Sequence, residues 1–152
     1  MKDLVIKKAL LDKCIKQVDD RLIKIKQTIA TIEESLFEES KSSSGDKHET
    51  GRAMLQIDRE NAGNQLREIE ILAILLSKID VHTTSDYARL GSLVQTDRYT
   101  YFVSISIGSV EVQGKNYLCV ALNSPVGQLL SGKRKGDGFF LNGQSHAITS
   151  VH

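Results

Sequence analysis

Between Leu4 and Ser40 the chain contains neither glycine nor proline. Within that run Leu11, Ile15, Val18, Leu22, Ile25, Ile29, Ile32 and Leu36 recur at alternating spacings of four and three. This is a heptad seam, which keeps one narrow apolar stripe on one side of a helix. Lys13, Lys16, Asp19, Asp20, Lys24, Glu33 and Glu34 occupy the other faces. A helix of that length rises about 1.5 Å per residue and extends on the order of 50 Å. So thin a stripe does not hold a lone helix in water, so the segment requires a partner along its length.

The chain supplies that partner itself. Ser40-Lys41-Ser42-Ser43-Ser44-Gly45 ends the helical pattern, because serine and glycine favour a bend. Asp46, followed three residues later by Glu49, has the form of an N-cap with its capping-box acid. A second apolar series, Leu55, Ala62, Leu66, Ile69, Ala73 and Leu76, has the same spacing, with Arg59 at one seam position. Ile57, Ile71, Leu72, Ile74, Leu75 and Ile79 broaden the stripe. A second helix over about 47–79 is expected. Two helices of matched length joined by a short polar turn fold back as an antiparallel coiled-coil hairpin, assigned to residues 1–80.

Past Asp80 the period changes and a small β-domain is expected over 81–152. Leu90–Val94, Tyr99–Ile107, Val110–Val112 and Tyr117–Leu122 read as strands, with turns at Gly108 and Gly114-Lys115-Asn116. Ser124-Pro125 reads as an N-cap with proline at the first helical position, opening a short helix through Val126 to Leu130. Lys133-Arg134-Lys135-Gly136-Asp137-Gly138 is a basic turn, with strands at Phe139–Leu141 and Ala147–Val151 on its far side.

The balance of charges excludes several roles. With 20 Lys and Arg against 19 Asp and Glu, the net charge is +1, without the basic excess of a protein that coats nucleic acid. No window approaches the ~18 apolar residues of a membrane span, and the N-terminus lacks the pattern of a signal peptide. Cys14 and Cys119 are too few and too far apart for a disulfide framework or a zinc site; two reduced, partly buried thiols in a cytosolic protein are expected. Cys14 lies beside the seam and reads as a packing residue. His82, His146 and His152 have no partner at metal-ligand spacing. Ser124 has no visible His/Asp arrangement, and Gly132-Lys133 lacks the upstream glycine of a phosphate-binding loop.

The run Asn123-Ser124-Pro125-Val126-Gly127-Gln128-Leu129-Leu130-Ser131-Gly132-Lys133-Arg134-Lys135-Gly136-Asp137 resembles the C-terminal domain of the Gre family of bacterial transcription elongation factors. In that family a Ser-Pro pair, a short helix and Gly-Lys-x-x-Gly-Asp follow in this order. Ala88-Arg89-Leu90-Gly91-Ser92-Leu93-Val94 is similar to the family's opening strand, and Gly45-Asp46-Lys47-His48-Glu49 is similar to its Gly-Asp-x-x-Glu at the hairpin turn. The resemblance spans essentially the whole chain. It implies an α+β fold: an N-terminal antiparallel coiled-coil hairpin followed by a small FKBP-like antiparallel β-domain.

The resemblance also implies a role. The family docks its β-domain at the secondary channel of RNA polymerase, and its hairpin reaches the catalytic centre. There, acids at the turn help hold a second Mg²⁺, and the polymerase's own site cleaves backtracked RNA. On this reading Asp46 and Glu49 carry the chemistry and share Mg²⁺ only in the complex. Ser124, Pro125, Val126 and Leu129 form the docking surface, and Lys47 and Arg52 contact RNA or phosphate. The chain then has no activity and no cofactor of its own. Its partner is RNA polymerase, it meets the RNA 3′ end only within that complex, and it is expected to be a cytoplasmic monomer without a small-molecule substrate. Mg²⁺ is a hard ion commonly held by one or two carboxylates, with waters and phosphates completing its shell.

Two departures stand beside the match. The family's tip commonly continues with a third acid and an aromatic, where this chain has Arg52 and Ala53. A factor that modulates pausing or inhibits the polymerase without stimulating cleavage is therefore a second reading. The bland alternatives are capping chemistry for Asp46, Glu49 and Ser124, and a solvated turn for His48 and for Lys133 to Lys135. A third reading, from another class, is a structural coiled-coil adaptor; a prolyl isomerase is suggested only by the implied fold.

Overall fold

In a computed structural model, which describes residues 2–41 and 46–152 and only the backbone of 46–49, the chain begins with two long helices. These are α1 (Lys2–Ser40) and α2 (Asp46–Ser77). Six strands follow: β1 (Leu93–Thr96), β2 (Thr100–Ser104), β3 (Gly108–Val112), β4 (Lys115–Ala121), β5 (Gly138–Leu141) and β6 (Gln144–Val151). One short helix, α3 (Pro125–Leu130), lies between β4 and β5. The helical hairpin and the β-domain after it are those the sequence implies. The chain divides into two compact units, Gln17–Ala73 and Met1–Lys16 with Ile74–His152, so the grouping cuts across the sequence boundary at residue 80.

In the Gln17–Ala73 unit the seam is where the heptads place it. Ile25, Ile29 and Ala62 are buried, and Ile32, Leu66 and Ile69 pack against them. Arg59, at the one polar seam position, reaches across the pair, and its Nε donates to Glu33 Oε1 at 3.0 Å. Both partners are well exposed, so the pair fixes register more than it stabilises. The broadened stripe is corrected in part: Ile57, Ile71 and Ile74 are each more than half exposed. They stand one or two residues from seam positions, and on a helix such neighbours do not share a face.

In the other unit the buried face of α1 is not the seam. Ile6, Leu10 and Cys14 are buried, whereas Ile15, expected in the seam, is 39% exposed. The first turns of α1 lie against the β-domain, which uses a face rotated by one residue. Cys14 Sγ lies 3.6 Å from Ser104 Oγ, Lys7 Nζ donates to the Thr83 carbonyl at 3.2 Å, and Lys13 Nζ donates to the Glu111 carbonyl at 2.6 Å.

The sheet order is β3-β4-β2-β1-β6-β5. Every neighbouring pair is antiparallel except β2 and β4, which run parallel with Phe102 beside Cys119. The implied antiparallel domain thus carries one parallel seam. After β2 the chain makes the edge hairpin of β3 and β4 and returns β4 to the flank of β2. Side chains alternate across the sheet, so its two faces carry different sets. Val94, Tyr101, Val103, Phe139 and Ile148 form one core with Ala88 and Leu130. Phe102, Ser104 and Cys119 point to the opposite face, the one that meets Cys14.

Strand boundaries differ from expectation, with β6 beginning at Gln144 rather than Ala147 and the largest shifts otherwise in β1 and β2. Leu90 to Ser92 is a turn and β1 begins at Leu93, because Gly91 takes φ +90°, donates to the Val103 carbonyl at 2.7 Å and so bends the chain. The expected strand Tyr99–Ile107 is β2 only as far as Ser104.

Candidate partner-binding surface and hairpin turn

The segment from Ser124 to Asp137 is built by local hydrogen bonding. Ser124 is the N-cap of α3: its hydroxyl accepts from Gly127 N at 3.1 Å and donates to the Ala121 carbonyl at 2.7 Å. Pro125 takes the first helical turn, where no amide hydrogen is required. Gly127 is buried, and the position takes only glycine because a Cβ there would stand 1.9 Å from the Ala121 carbonyl oxygen. Val126 and Leu129 are partly buried against the Tyr101–Val103 core, whereas Pro125 and Gln128 are exposed. Of the expected docking residues, Pro125 is exposed, and Ser124, Val126 and Leu129 are partly buried where they hold the helix in place.

The basic turn continues the same frame. Gly132 and Gly136 take φ of +77° and +93°, a region open to glycine at no steric cost. The Asp137 carboxylate accepts from Arg134 N at 2.7 Å and closes the turn. Ala88 and Lys133 exchange the chain across the gap: Ala88 N donates to Lys133 O and Gly132 N to Ala88 O, both at 2.8 Å. This pairing brings a residue that the sequence reading passed over, Tyr87, beside the turn. The Arg134 guanidinium lies 5.5 Å from the centre of the Tyr87 ring and Arg89 lies 5.9 Å from it, both within cation–π range. Arg134 also pairs with Asp86. Tyr87, Arg89 and Arg134 are exposed and form one patch with an aromatic centre, in which Asp86 offsets one of the two guanidinium charges. No spacing rule joins residues 47 apart; only the strand-like bridge between Tyr87 and Arg134 does so.

At the hairpin turn, Gly45 and the side chains of Asp46, Lys47, His48 and Glu49 lie outside the described residues. The backbone of 46–49 belongs to the first turn of α2, and Arg52 is exposed on the second. Among the described residues no three His, Cys, Asp or Glu side chains gather as a metal site. Among them, too, no helix is long and apolar enough to cross a membrane.

The Met1–Lys16 and Ile74–His152 unit also holds a cleft of about 320 Å³ lined by Asp3, Leu4, Lys7, Val81, His82 and Thr84. Lys7 is 2% exposed there. Burial and the nearby Arg89 guanidinium lower its pKa from the usual 10.5, against smaller upward pulls from Asp3 and Asp80. The folded protein therefore releases this proton before the unfolded chain does, and the contribution of Lys7 to stability rises with pH between its lowered folded pKa and about 10.5. Lys7→Met keeps the apolar stem and removes the buried charge. It is expected to raise stability at pH 7 by about 1 kcal/mol, with the advantage narrowing as pH climbs toward 10.5. Urea denaturation of both proteins at pH 7 and pH 10 measures this.

No protein-family model matches the sequence, and no curated protein matches it. Among solved structures, that of the transcription factor Gfh1 aligns with 91% of this chain and 92% of its own at 17% identity, with a TM-score of 0.36.

Proposed function

We propose that this chain is a transcription elongation factor that binds RNA polymerase at its secondary channel, with Asp46 and Glu49 carried at the hairpin turn toward the polymerase active site. The observation that carries the reading is the folding of Asn123–Asp137 as one frame, with α3 capped by Ser124, closely packed at Gly127 and followed by a turn closed by Asp137. That run holds the most specific part of the family resemblance, and its folded form presents Pro125 and the Tyr87–Arg134 patch to a partner. Polymerase surfaces rich in acidic residues suit such a patch. In this reading the chain supplies carboxylates and positioning, and the reaction belongs to the polymerase. A shared Mg²⁺ would supply charge stabilisation to phosphoryl chemistry, with Asp46 and Glu49 as its oxygen ligands from this chain.

Arg52 favours a second branch. It is exposed on α2 at the position of the family's third acid, and its charge opposes cation recruitment beside the pair. In that branch the factor enters the channel and slows elongation without cleavage.

Co-purification with core RNA polymerase and with stalled elongation complexes tests the proposal. Retention of the chain on polymerase is expected, and its absence from both samples refutes channel binding. Addition to backtracked complexes with Mg²⁺ separates the branches: shortened RNA marks the cleavage factor, and blocked extension of intact RNA marks the inhibitor. A stable dimer by light scattering that fails to bind polymerase marks the adaptor class instead.

A further inference from the structure

Lys7 is buried, but not as a paired ion. Among the described residues its ammonium has one hydrogen-bond partner, the Thr83 carbonyl at 3.2 Å, and no carboxylate in ion-pair contact. An ammonium carries three N–H donors, so two are without a protein acceptor among those residues. Burial and the Arg89 guanidinium weigh against its charge, and Asp3 and Asp80 oppose them only from a distance. Both acids are engaged elsewhere: Asp3 Oδ2 lies 3.5 Å from His152 Nε2, and Asp80 Oδ1 accepts from His82 N at 2.9 Å. A buried charge is costly unless it is paired and fully hydrogen-bonded, and a fold that retains one gives up stability for it. Lys7 lines the cleft of about 320 Å³ between the first turns of α1 and the chain that leaves α2. Leu4 and Val81 give that cleft an apolar wall, and the exposed His82 and Thr84 stand where it meets solvent.

We propose that this cleft binds a small organic monocarboxylate, with the carboxylate on Lys7 Nζ and the hydrocarbon body against Leu4 and Val81. Three features select that class. A carboxylate is acceptor-only and takes up both free N–H donors, becoming the counter-ion that the fold itself does not supply. The wall beside the ammonium is apolar, which suits a hydrocarbon body, and the volume is at the small end of ligand pockets. Asp3 and Asp80 stand close enough to act on the ammonium, so they repel a second negative charge and disfavour a dianion such as phosphate. Bound there, the ligand joins α1 to residues 81–84. The site lies within the Met1–Lys16 and Ile74–His152 unit and is independent of the hairpin turn and of polymerase.

The test titrates the full ¹⁵N-labelled chain at pH 7 with sodium octanoate, and separately with 1-octanol and with inorganic phosphate, following amide shifts by NMR. The expected result is saturable octanoate shifts at Leu4, Lys7, Val81, His82 and Thr84, with a Kd on the order of 1 mM. Octanol has the same hydrocarbon body without the charge, and phosphate has the charge without the body; each is expected to bind about tenfold more weakly or worse. Lys7→Met, first shown to be folded by its thermal melt, is expected to weaken octanoate binding by about tenfold or more. The octanol comparison reads the role of the charge on the wild-type chain even where the variant folds poorly. Absence of saturable octanoate shifts overturns the proposal. So do shifts centred on the Ile25, Ile29 and Ala62 seam, equal affinity for octanol or phosphate, or unchanged affinity in folded Lys7→Met.

Discussion

Gly127→Ala is expected to lower stability by about 3 kcal/mol or more, a fall in Tm of roughly 6–12 °C for a chain of this size. The sign is not obvious from composition, because alanine is the better helix former by about 1 kcal/mol. The clash decides it. An added Cβ stands 1.9 Å from the Ala121 carbonyl oxygen, 2.8 Å from its carbon and 2.9 Å from the Leu122 carbon. All three are backbone atoms, so no side chain can rotate away. The invaded oxygen also accepts Ser124 N at 3.1 Å and the Ser124 hydroxyl at 2.7 Å. Relief requires α3 to lift from β4, which opens the packing of Val126, Leu129 and Leu130 on the sheet. Ser124→Ala in the same helix provides the scale. It removes one cap and is expected to cost only about 1 kcal/mol. Thermal melts of the two variants beside wild type check both values. Near-equal losses would show that α3 yields more readily than its contacts imply.

In the cleavage branch of the proposal, Asp46→Asn together with Glu49→Gln is expected to reduce RNA shortening in backtracked complexes to the rate of polymerase alone. Retention on polymerase should be unchanged. The amides keep size and most hydrogen-bonding capacity, including much of the capping role. They lose the negative charge that a hard cation requires of its ligands. Capping alone therefore predicts little change in cleavage, whereas a role in the active site predicts its loss. Thermal melts accompany the assay. A large drop in Tm with cleavage reduced only in proportion would assign the two acids to the helix end and refute their part in the chemistry. Arg52→Glu is the complementary probe, since it restores a third acid on the exposed second turn of α2.

The hairpin was legible because its determinant is local and periodic. Ile25, Ile29, Ala62 and Leu66 are neighbours in the fold for the same reason that they recur every three or four residues in the chain. The helix at Pro125–Leu130 was legible from Ser124-Pro125 alone, since a cap and a first-turn proline act within one helical turn. The segment 124–129 was legible as a capped helix but not in its packing: only tertiary structure turns Val126 and Leu129 toward the core and leaves Pro125 exposed.

Local pattern alone yields a pair of matched helices and a β-rich C-terminal half. Periodicity and turn chemistry act over a few residues, so these can be read without a partner in view. The tertiary structure alone decided which face of α1 is buried before Lys16. There the sheet replaces the second helix as partner, so Ile6, Leu10 and Cys14 go inward and Ile15 outward. It also decided the parallel pairing of β2 with β4, the meeting of Tyr87 with Arg134, and the contact of Cys14 with Ser104. Each of these joins residues separated by a strand crossover or by most of the chain. Burial of apolar surface has no direction of its own; the packed sheet supplies the direction.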